Sequence, residues 1–149
     1  MKEVSIKNRR ARFEYEIIEE FVAGLQLTGT EIKSIRQSKA SINEGYCFFK
    51  EGELWIKNMH IAEYTHGSYT NHDPKRDRKL LLKKKELEKL EKNLNIKGYA
   101  IVPLKMFVTE KGWAKLLIGL GKGKKLHDKR ESLKEKDAKR SMDRMMKTF

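Results

Sequence analysis

Short segments in which apolar and polar residues alternate constrain the fold of this chain more than any other feature. Residues 13–19 alternate well enough for a strand with one buried face. Residues 45–49 and 53–56 flank a glycine-containing turn, which predicts a β-hairpin. Residues 99–108 and 113–118 are two more such segments around another glycine-containing turn. We therefore expect a mainly β fold with antiparallel neighbours.

Residues 30–36 also alternate, and we predict a further strand there. In this strand Ile32 should point inward, and Glu31 and Lys33 should point outward.

One long helix is expected between the two groups of strands. Asp73 is a suitable N-cap, and Pro74 suits the first helical position. Leucines then recur at helical spacing over residues 80–94, and Gly98 follows near the expected end. Five or six short strands with one long helix favour a small antiparallel β-barrel of the OB-like type, whose strand face and loops bind oligonucleotides.

The charge of the chain indicates a polyanionic partner. The formal net charge is +13, from 34 Lys and Arg against 21 Asp and Glu. Basic side chains cluster at residues 7–12, 75–85 and 122–130, whereas residues 13–72 are net negative. Nucleic acid and an anionic membrane surface are the two candidate partners, and the uneven distribution favours a folded body with basic contact surfaces.

Cysteine content and hydropathy indicate a cytoplasmic protein. Cys47 is the single cysteine, so no intrachain disulfide can form, and we expect a buried core thiol. No apolar run approaches the ~20 residues of a membrane span, and residues 1–16 are charged, which is unlike a secretory signal.

No catalytic motif, metal site or cofactor site is evident, so we expect a binding protein and not an enzyme. The histidine and aspartate spacing at residues 66–73 matches no standard zinc pattern. Residues 119–125 are glycine- and lysine-rich, but Ile118 and Lys125 stand where a phosphate-binding loop requires glycine and serine or threonine. This segment is interpreted as a flexible basic connector.

The chain should divide into a barrel over residues 1–121 and a basic tail over residues 122–149. The tail contains few large apolar residues before its end, so we expect it to be disordered when free. Its last apolar residues share one face of a helix, at i, i+3, i+4 and i+7: Met142, Met145, Met146 and Phe149.

Six segments occur in the order found in the small protein B family, also called SsrA-binding proteins. They are NRRARFEY (8–15), FVAGL (21–25), GTEIKSIR (29–36), RDRKLLL (76–82), VPL (102–104) and GKGKKLHDKR (121–130). Each is weak alone, but the combination is specific and spans essentially the whole chain. The chain thus resembles this family.

The resemblance implies a role in trans-translation. The barrel would bind the tRNA-like domain of transfer-messenger RNA (tmRNA, or SsrA RNA). The complex would deliver alanyl-tmRNA to a stalled ribosome, with the elongation factor that carries alanyl-tmRNA as an indirect partner. The tail would fill the vacant mRNA channel of the small subunit and become helical there. No membrane partner is implied.

The resemblance also implies two sets of contact residues. The residues expected to face tmRNA are Asn8, Arg9, Arg10, Arg12, Glu31, Lys33, Arg36, Arg78 and Lys79. Those expected at the decoding centre or in the mRNA channel are Lys124, Lys125, His127, Asp128, Lys129, Arg130, Met145 and Met146. His127 would stack near the decoding nucleotides.

A generic RNA-binding or ribosome-associated protein is the alternative function. It explains the charge and the barrel, but not the joint occurrence of the GTEIKSIR and GKKLHDKR segments. An RNA-modifying enzyme would need a catalytic group or cofactor pocket, for which the sequence shows no signal.

Overall fold

The structure, a computed structural model, describes residues 4–65 and 71–124. In these ranges it is mainly antiparallel β-sheet with three helices, as the alternating segments predict. The elements in chain order are β1 (Ser5–Lys7), α1 (Ala11–Glu14), β2 (Tyr15–Leu25), α2 (Gly29–Arg36), β3 (Ala40–Ser41), β4 (Tyr46–Lys50), β5 (Glu53–Lys57), β6 (His60–Ile61), β7 (Arg78–Leu81), α3 (Lys84–Leu94), β8 (Tyr99–Val108) and β9 (Ala114–Gly123).

Seven strands form one sheet in the order β1-β8-β9-β2-β7-β5-β4, and β3 pairs with β6. The sheet curls, so that β4 packs beside β8 although the two are not neighbours in the hydrogen-bonded order. The main core lies inside this curl and includes Ile35, Leu54, Leu80, Leu90 and Met106.

The predicted hairpin at residues 45–56 is confirmed as β4 and β5, with Phe48 opposite Trp55. Glu51 and Gly52 form its turn, with φ of 52° and 77°. Positive φ at two central residues is the geometry that matches the strand twist of a tight hairpin. Cys47 lies on the inner side of β4, and burial raises the pKa of its thiol, as a core cysteine requires.

The predicted strand at residues 30–36 is wrong, because this segment is helix α2. The Thr28 hydroxyl accepts a hydrogen bond from the Glu31 amide at 3.4 Å, and the Glu31 carboxylate accepts one from the Thr28 amide at 2.8 Å. This capping box satisfies two amides that a helix start leaves free. Ile32 and Ile35, three positions apart, then pack toward the core.

The predicted long helix from residue 73 is also wrong. Asp73 and Pro74 begin a turn, in which the Arg76 amide donates to the Asp73 carbonyl at 3.2 Å. Residues 78–81 form strand β7, which lies between β2 and β5. The helix begins only at Lys84, and its Leu90 enters the core that Leu80 reaches from β7. Within the described ranges, the helices are too short and too polar to traverse a bilayer.

The strands at residues 99–108 and 113–118 are confirmed, but β9 continues to Gly123 and does not end near Ile118. Residues 119–123 are therefore strand, and the prediction of a flexible connector there is wrong. Gly121 lies against Tyr15 of β2, where an added Cβ would approach the tyrosine Cβ to 2.9 Å. Glycine permits this close approach.

Candidate nucleic-acid interface

A buried ion pair joins α2 to β7. The side chains of Glu31 and Arg78 are both 0% exposed, and Arg78 Nε donates to Glu31 Oε2. Arg78 Nη1 also donates to the Met59 carbonyl at 2.6 Å, and Nη2 lies 3.2 Å from the carbonyls of Asp73 and Pro74. Every nitrogen of the guanidinium thus has a partner, which is what a buried charge requires. The expectation that Glu31 points outward is wrong.

The environment of Glu31 favours its charged form. Burial by itself raises the pKa of this carboxyl, but hydrogen bonds from Arg76, the Thr28 amide and Arg78 outweigh burial and hold the pKa below its ordinary value. Arg78 remains a cation at neutral pH, since guanidinium does not lose its proton in proteins.

Arg76 connects this buried pair to the surface. Its side chain is 37% exposed, and its Nη2 donates to Glu31 Oε1 at 2.7 Å and to the Gln26 carbonyl at 3.3 Å. Arg76 belongs to the basic group at residues 75–85, but sequence reasoning did not single it out. The RDRK segment could have identified it, because Arg76 and Arg78 share one side of an extended segment.

His72 connects the loop before β7 to α2 through hydrogen bonds of its ring. His72 is buried, and its Nδ1 lies 2.8 Å from the Thr30 hydroxyl, while its Nε2 lies 2.9 Å from the Ile61 carbonyl. The carbonyl can only accept, so Nε2 carries the proton, and Nδ1 accepts from Thr30 when the ring is neutral. The side chain therefore has a structural role, because its hydrogen bonds join the loop before β7 to α2 and to β6.

The outer side of α2 is basic. Lys33 is exposed, and its Nζ lies 5.4 Å from the centre of the Tyr64 ring, a cation–π distance. Arg36, also exposed, donates through Nη2 to the Gly112 carbonyl at 3.1 Å. This bond ties the end of α2 to the β8–β9 turn. Of the three α2 residues that were predicted to face tmRNA, Lys33 and Arg36 thus lie on the surface and Glu31 is buried.

A groove runs between α2 and the β8–β9 turn, and Trp113 forms one wall. Its volume is about 210 Å³; apolar side chains of β2 and α2 and the cations Arg36 and Lys111 also line it. Trp113 is 68% exposed, the highest value among the large apolar side chains of the described ranges. An exposed indole beside cations can stack with a nucleobase.

The basic segment before β2 is held in place by Asn8. The Asn8 amide Nδ2 donates to the Pro103 carbonyl at 2.8 Å, its backbone amide donates to the Leu104 carbonyl at 2.9 Å, and its Oδ1 accepts from the Arg10 amide at 3.2 Å. Asn8 is buried and anchors the segment to β8. Asn8 was predicted to contact tmRNA, and in this structure its side chain makes the two internal hydrogen bonds described above.

The arginines beside Asn8 are exposed. Arg10 lies 3.3 Å from Glu44, and Arg12 lies 2.5 Å from Glu20. The salt bridges of the described ranges do not include Arg9. Exposed pairs of this kind are weak, so these guanidiniums can exchange partners for phosphates at little cost.

A second groove lies beside these arginines, on the outer face of β1, β8 and β9. Its volume is about 380 Å³. Four cationic side chains and two leucines contribute to its lining, namely Lys7, Arg9, Arg12, Lys105, Leu104 and Leu117. Lys105 was not predicted, since a lone lysine in an apolar strand carries no signal.

The remaining predicted residues fall into two groups. Lys79 lies on β7 with its Nζ 3.7 Å from Glu53, and the Lys124 amide donates to the Glu14 carbonyl at 3.0 Å just beyond β9. Lys125, His127, Asp128, Lys129, Arg130, Met145 and Met146 lie outside the described residues. In the part of the chain that the structure describes, no three His, Cys, Asp or Glu side chains group as metal ligands.

Comparisons with known proteins agree on one family. A family model described as SmpB protein matches residues 5–148. An SsrA-binding protein of Phocaeicola vulgatus is 62% identical over 144 residues, which cover 97% of this chain and 96% of that protein. An SsrA-binding protein of a Nostoc species is 52% identical, with 95% and 92% covered. A solved structure described as "tmRNA-SmpB: a journey to the center of the bacterial ribosome" superposes with a TM-score of 0.71 at 46% identity, covering 87% of this chain and 94% of that one.

Proposed function

The chain belongs to the SmpB protein family, and on this premise we propose that it binds tmRNA and acts in trans-translation. One observation carries the proposal: eight SsrA-binding proteins match this chain at 49–62% identity over 95–100% of its length. In this function the protein is a binding partner that delivers alanyl-tmRNA to stalled ribosomes in the cytoplasm. It needs no catalytic group or cofactor of its own.

The curled sheet is the RNA-binding body. We interpret it as an OB-like barrel, because the sheet is antiparallel and brings β4 back beside β8. Barrels of this type bind oligonucleotides through a strand face and adjoining loops. The exposed cations of α2 and of residues 9–12 supply the phosphate contacts.

The predicted tmRNA-facing residues divide by burial into two roles. Arg9, Arg10, Arg12, Lys33 and Arg36 are exposed and can contact the RNA directly. The buried ones, Glu31, Arg78 and Asn8, instead position the segments that carry these cations. Half-buried Lys79 can reach RNA only if its contact with Glu53 opens.

The tail supplies the ribosome contacts. The folded body extends to Gly123, because β9 pairs with β2 up to that residue. The basic segment beyond it enters the vacant mRNA channel, with His127 stacking near the decoding nucleotides and Met145 and Met146 forming apolar contacts. Walls of ribosomal RNA neutralise its charge and permit it to fold.

The first test is tmRNA binding by the full chain. We expect tight, salt-sensitive binding to the tRNA-like domain that bulk tRNA does not displace. Equal competition by bulk tRNA would favour the alternative of a generic RNA-binding protein. Sequencing of the RNA that copurifies with the chain gives an independent readout, in which tmRNA should be enriched.

The second test separates body from tail with a chain cut after Lys124. This variant should fold and bind tmRNA, because all described strands remain. It should fail in single-turnover dipeptide formation by alanyl-tmRNA on ribosomes that hold a truncated message. Normal dipeptide formation by the cut chain would refute the tail mechanism. Loss of tmRNA binding would instead make the tail part of the RNA-binding surface.

A further inference from the structure

Two lysines face each other across the β1–β8 pair. Lys7 of β1 is directly opposite Lys105 of β8 in the antiparallel register. Residues in this relation point to the same side of a sheet with their Cβ atoms roughly 5 Å apart, and like charges there are destabilising. Both lysines line the second groove, together with Arg9 and Arg12. The groove therefore concentrates positive charges that repel one another, and this repulsion lowers the stability of the sheet.

The protein neutralises little of this charge. Of the four cations, only Arg12 takes part in a salt bridge of the described ranges, with Glu20 at 2.5 Å. The Nζ of Lys105 lies 5.9 Å from the centre of the Phe107 ring, which attracts a cation but carries no net charge. A ligand with several negative charges would neutralise the cations of the groove.

The backbone that carries Lys7 and Arg9 is also held in a fixed position. Asn8 stands between Lys7 and Arg9, and its bonds to Pro103 and Leu104 hold β1 and the following turn to β8. Cations on an anchored backbone lose less freedom on binding than cations of a mobile segment do.

We propose that this groove binds a sugar–phosphate strand of RNA, and that Lys7 and Lys105 are RNA contacts in addition to those that the family resemblance implies. The proposal rests on the proposed function. The four cations can neutralise phosphates of one strand, and Leu104 and Leu117 offer an apolar floor for sugar faces. Asn8 uses both its side-chain oxygen and nitrogen within the protein. The groove therefore offers its cations as polar contacts, and these recognise the charge of the strand and not its sequence.

The experiment compares two variants that lose the same charge. Lys7→Gln/Lys105→Gln removes the opposed pair, and the matched control Lys50→Gln/Lys57→Gln removes two exposed lysines from the β4–β5 hairpin. Affinity for the tRNA-like domain of tmRNA is measured from about 50 to 200 mM salt. Log affinity decreases linearly with log salt, and this dependence should be less steep in the first variant, with the magnitude of the slope smaller by about 2. It should stay near the wild-type slope in the control.

Stability gives a second readout that distinguishes binding from structure. Removal of opposed like charges should raise the urea midpoint of Lys7→Gln/Lys105→Gln while RNA affinity falls. Lys7→Arg/Lys105→Arg should restore affinity. If the Gln variant binds as the control does, or if the Arg variant fails to restore binding, the proposal is wrong.

The outcomes also separate this proposal from the function on which it rests. Absence of tmRNA binding by the wild-type chain refutes the proposed function itself. Competition by polyglutamate as effective as that by RNA of equal charge would show a general anion site and overturn the assignment to RNA.

Discussion

Glu31 of α2 and Arg78 of β7 form an ion pair in which both side chains are completely buried, although the two residues are 47 positions apart in the chain. Arg76, which is partly exposed, shares the same carboxylate. The pair thus ties the first turn of α2 to a central strand, and Arg76 extends this connection to the surface. The helix that carries the exposed cations Lys33 and Arg36 is therefore anchored at its first turn.

Glu31→Gln should destabilise the fold strongly. The substitution keeps the shape of the side chain but leaves the Arg78 guanidinium buried without a counter-charge, which costs about 3–5 kcal/mol. Urea unfolding measures the loss. Glu53→Gln is the matched control, because it breaks the partly exposed pair with Lys79 and should cost roughly 1 kcal/mol or less. Similar losses in the two variants would contradict the special role of the buried pair.

Acid should remove the contribution that the Glu31 carboxylate makes to the stability of the fold. The pKa of this carboxyl is lower in the folded protein than its ordinary value of 4.5, so its contribution is fully present above that value and is lost as pH falls through the lower folded pKa. The stability gap between wild type and Glu31→Gln should therefore be constant near neutral pH and shrink below about pH 4.5. Unfolding midpoints at a series of pH values from 7 to 3 test this. A gap that persists unchanged in acid would rule out this linkage.

Trp113→Ala should weaken tmRNA binding without affecting the fold. Loss of one base–aromatic stack corresponds to about 1–3 kcal/mol, or about 5- to 150-fold in affinity. The side chain is 68% exposed, so stability should change by roughly 0.5 kcal/mol or less. The salt slope should not change, because no charge is removed. Trp113→Phe should retain part of the affinity.

Fluorescence provides the direct check on Trp113. The chain has two tryptophans, so Trp55→Phe leaves Trp113 as the single emitter. Its emission should be quenched by the tRNA-like domain. Unquenched emission together with unchanged affinity of Trp113→Ala would exclude this residue from the interface.

Local sequence was sufficient wherever an element and its partner are close in the chain. The β4–β5 hairpin was predictable, because alternation marks both strands and a glycine marks the turn between them. The strands at 99–108 and 113–118 were predictable for the same reason. The burial of Cys47 followed from its position in an apolar strand.

Two predictions failed where a local pattern fitted two structures. Residues 30–36 alternate as a strand does, but Thr28 and Glu31 also have the spacing of a capping box, which is a direct helix signal that we missed. Leu80 has helical spacing to Leu87 and Leu90, yet it belongs to a strand that lies between β2 and β5. In that second case the pairing of β7 with two distant strands determined the structure of the segment. The residues near Leu80 give no local signal of this pairing.

The sequence by itself determined the family, the basic character and most of the strands, because these depend on composition, ordered segments and local alternation. Only the tertiary structure decided that Glu31 and Arg78 are buried together, that Lys7 stands opposite Lys105, and that Trp113 is exposed. The physical reason is that burial and neighbourhood depend on strand register and on the curl of the sheet. Residues distant in the chain set both, so the spacing of charged residues along it cannot show which cations lie inside and which line a groove.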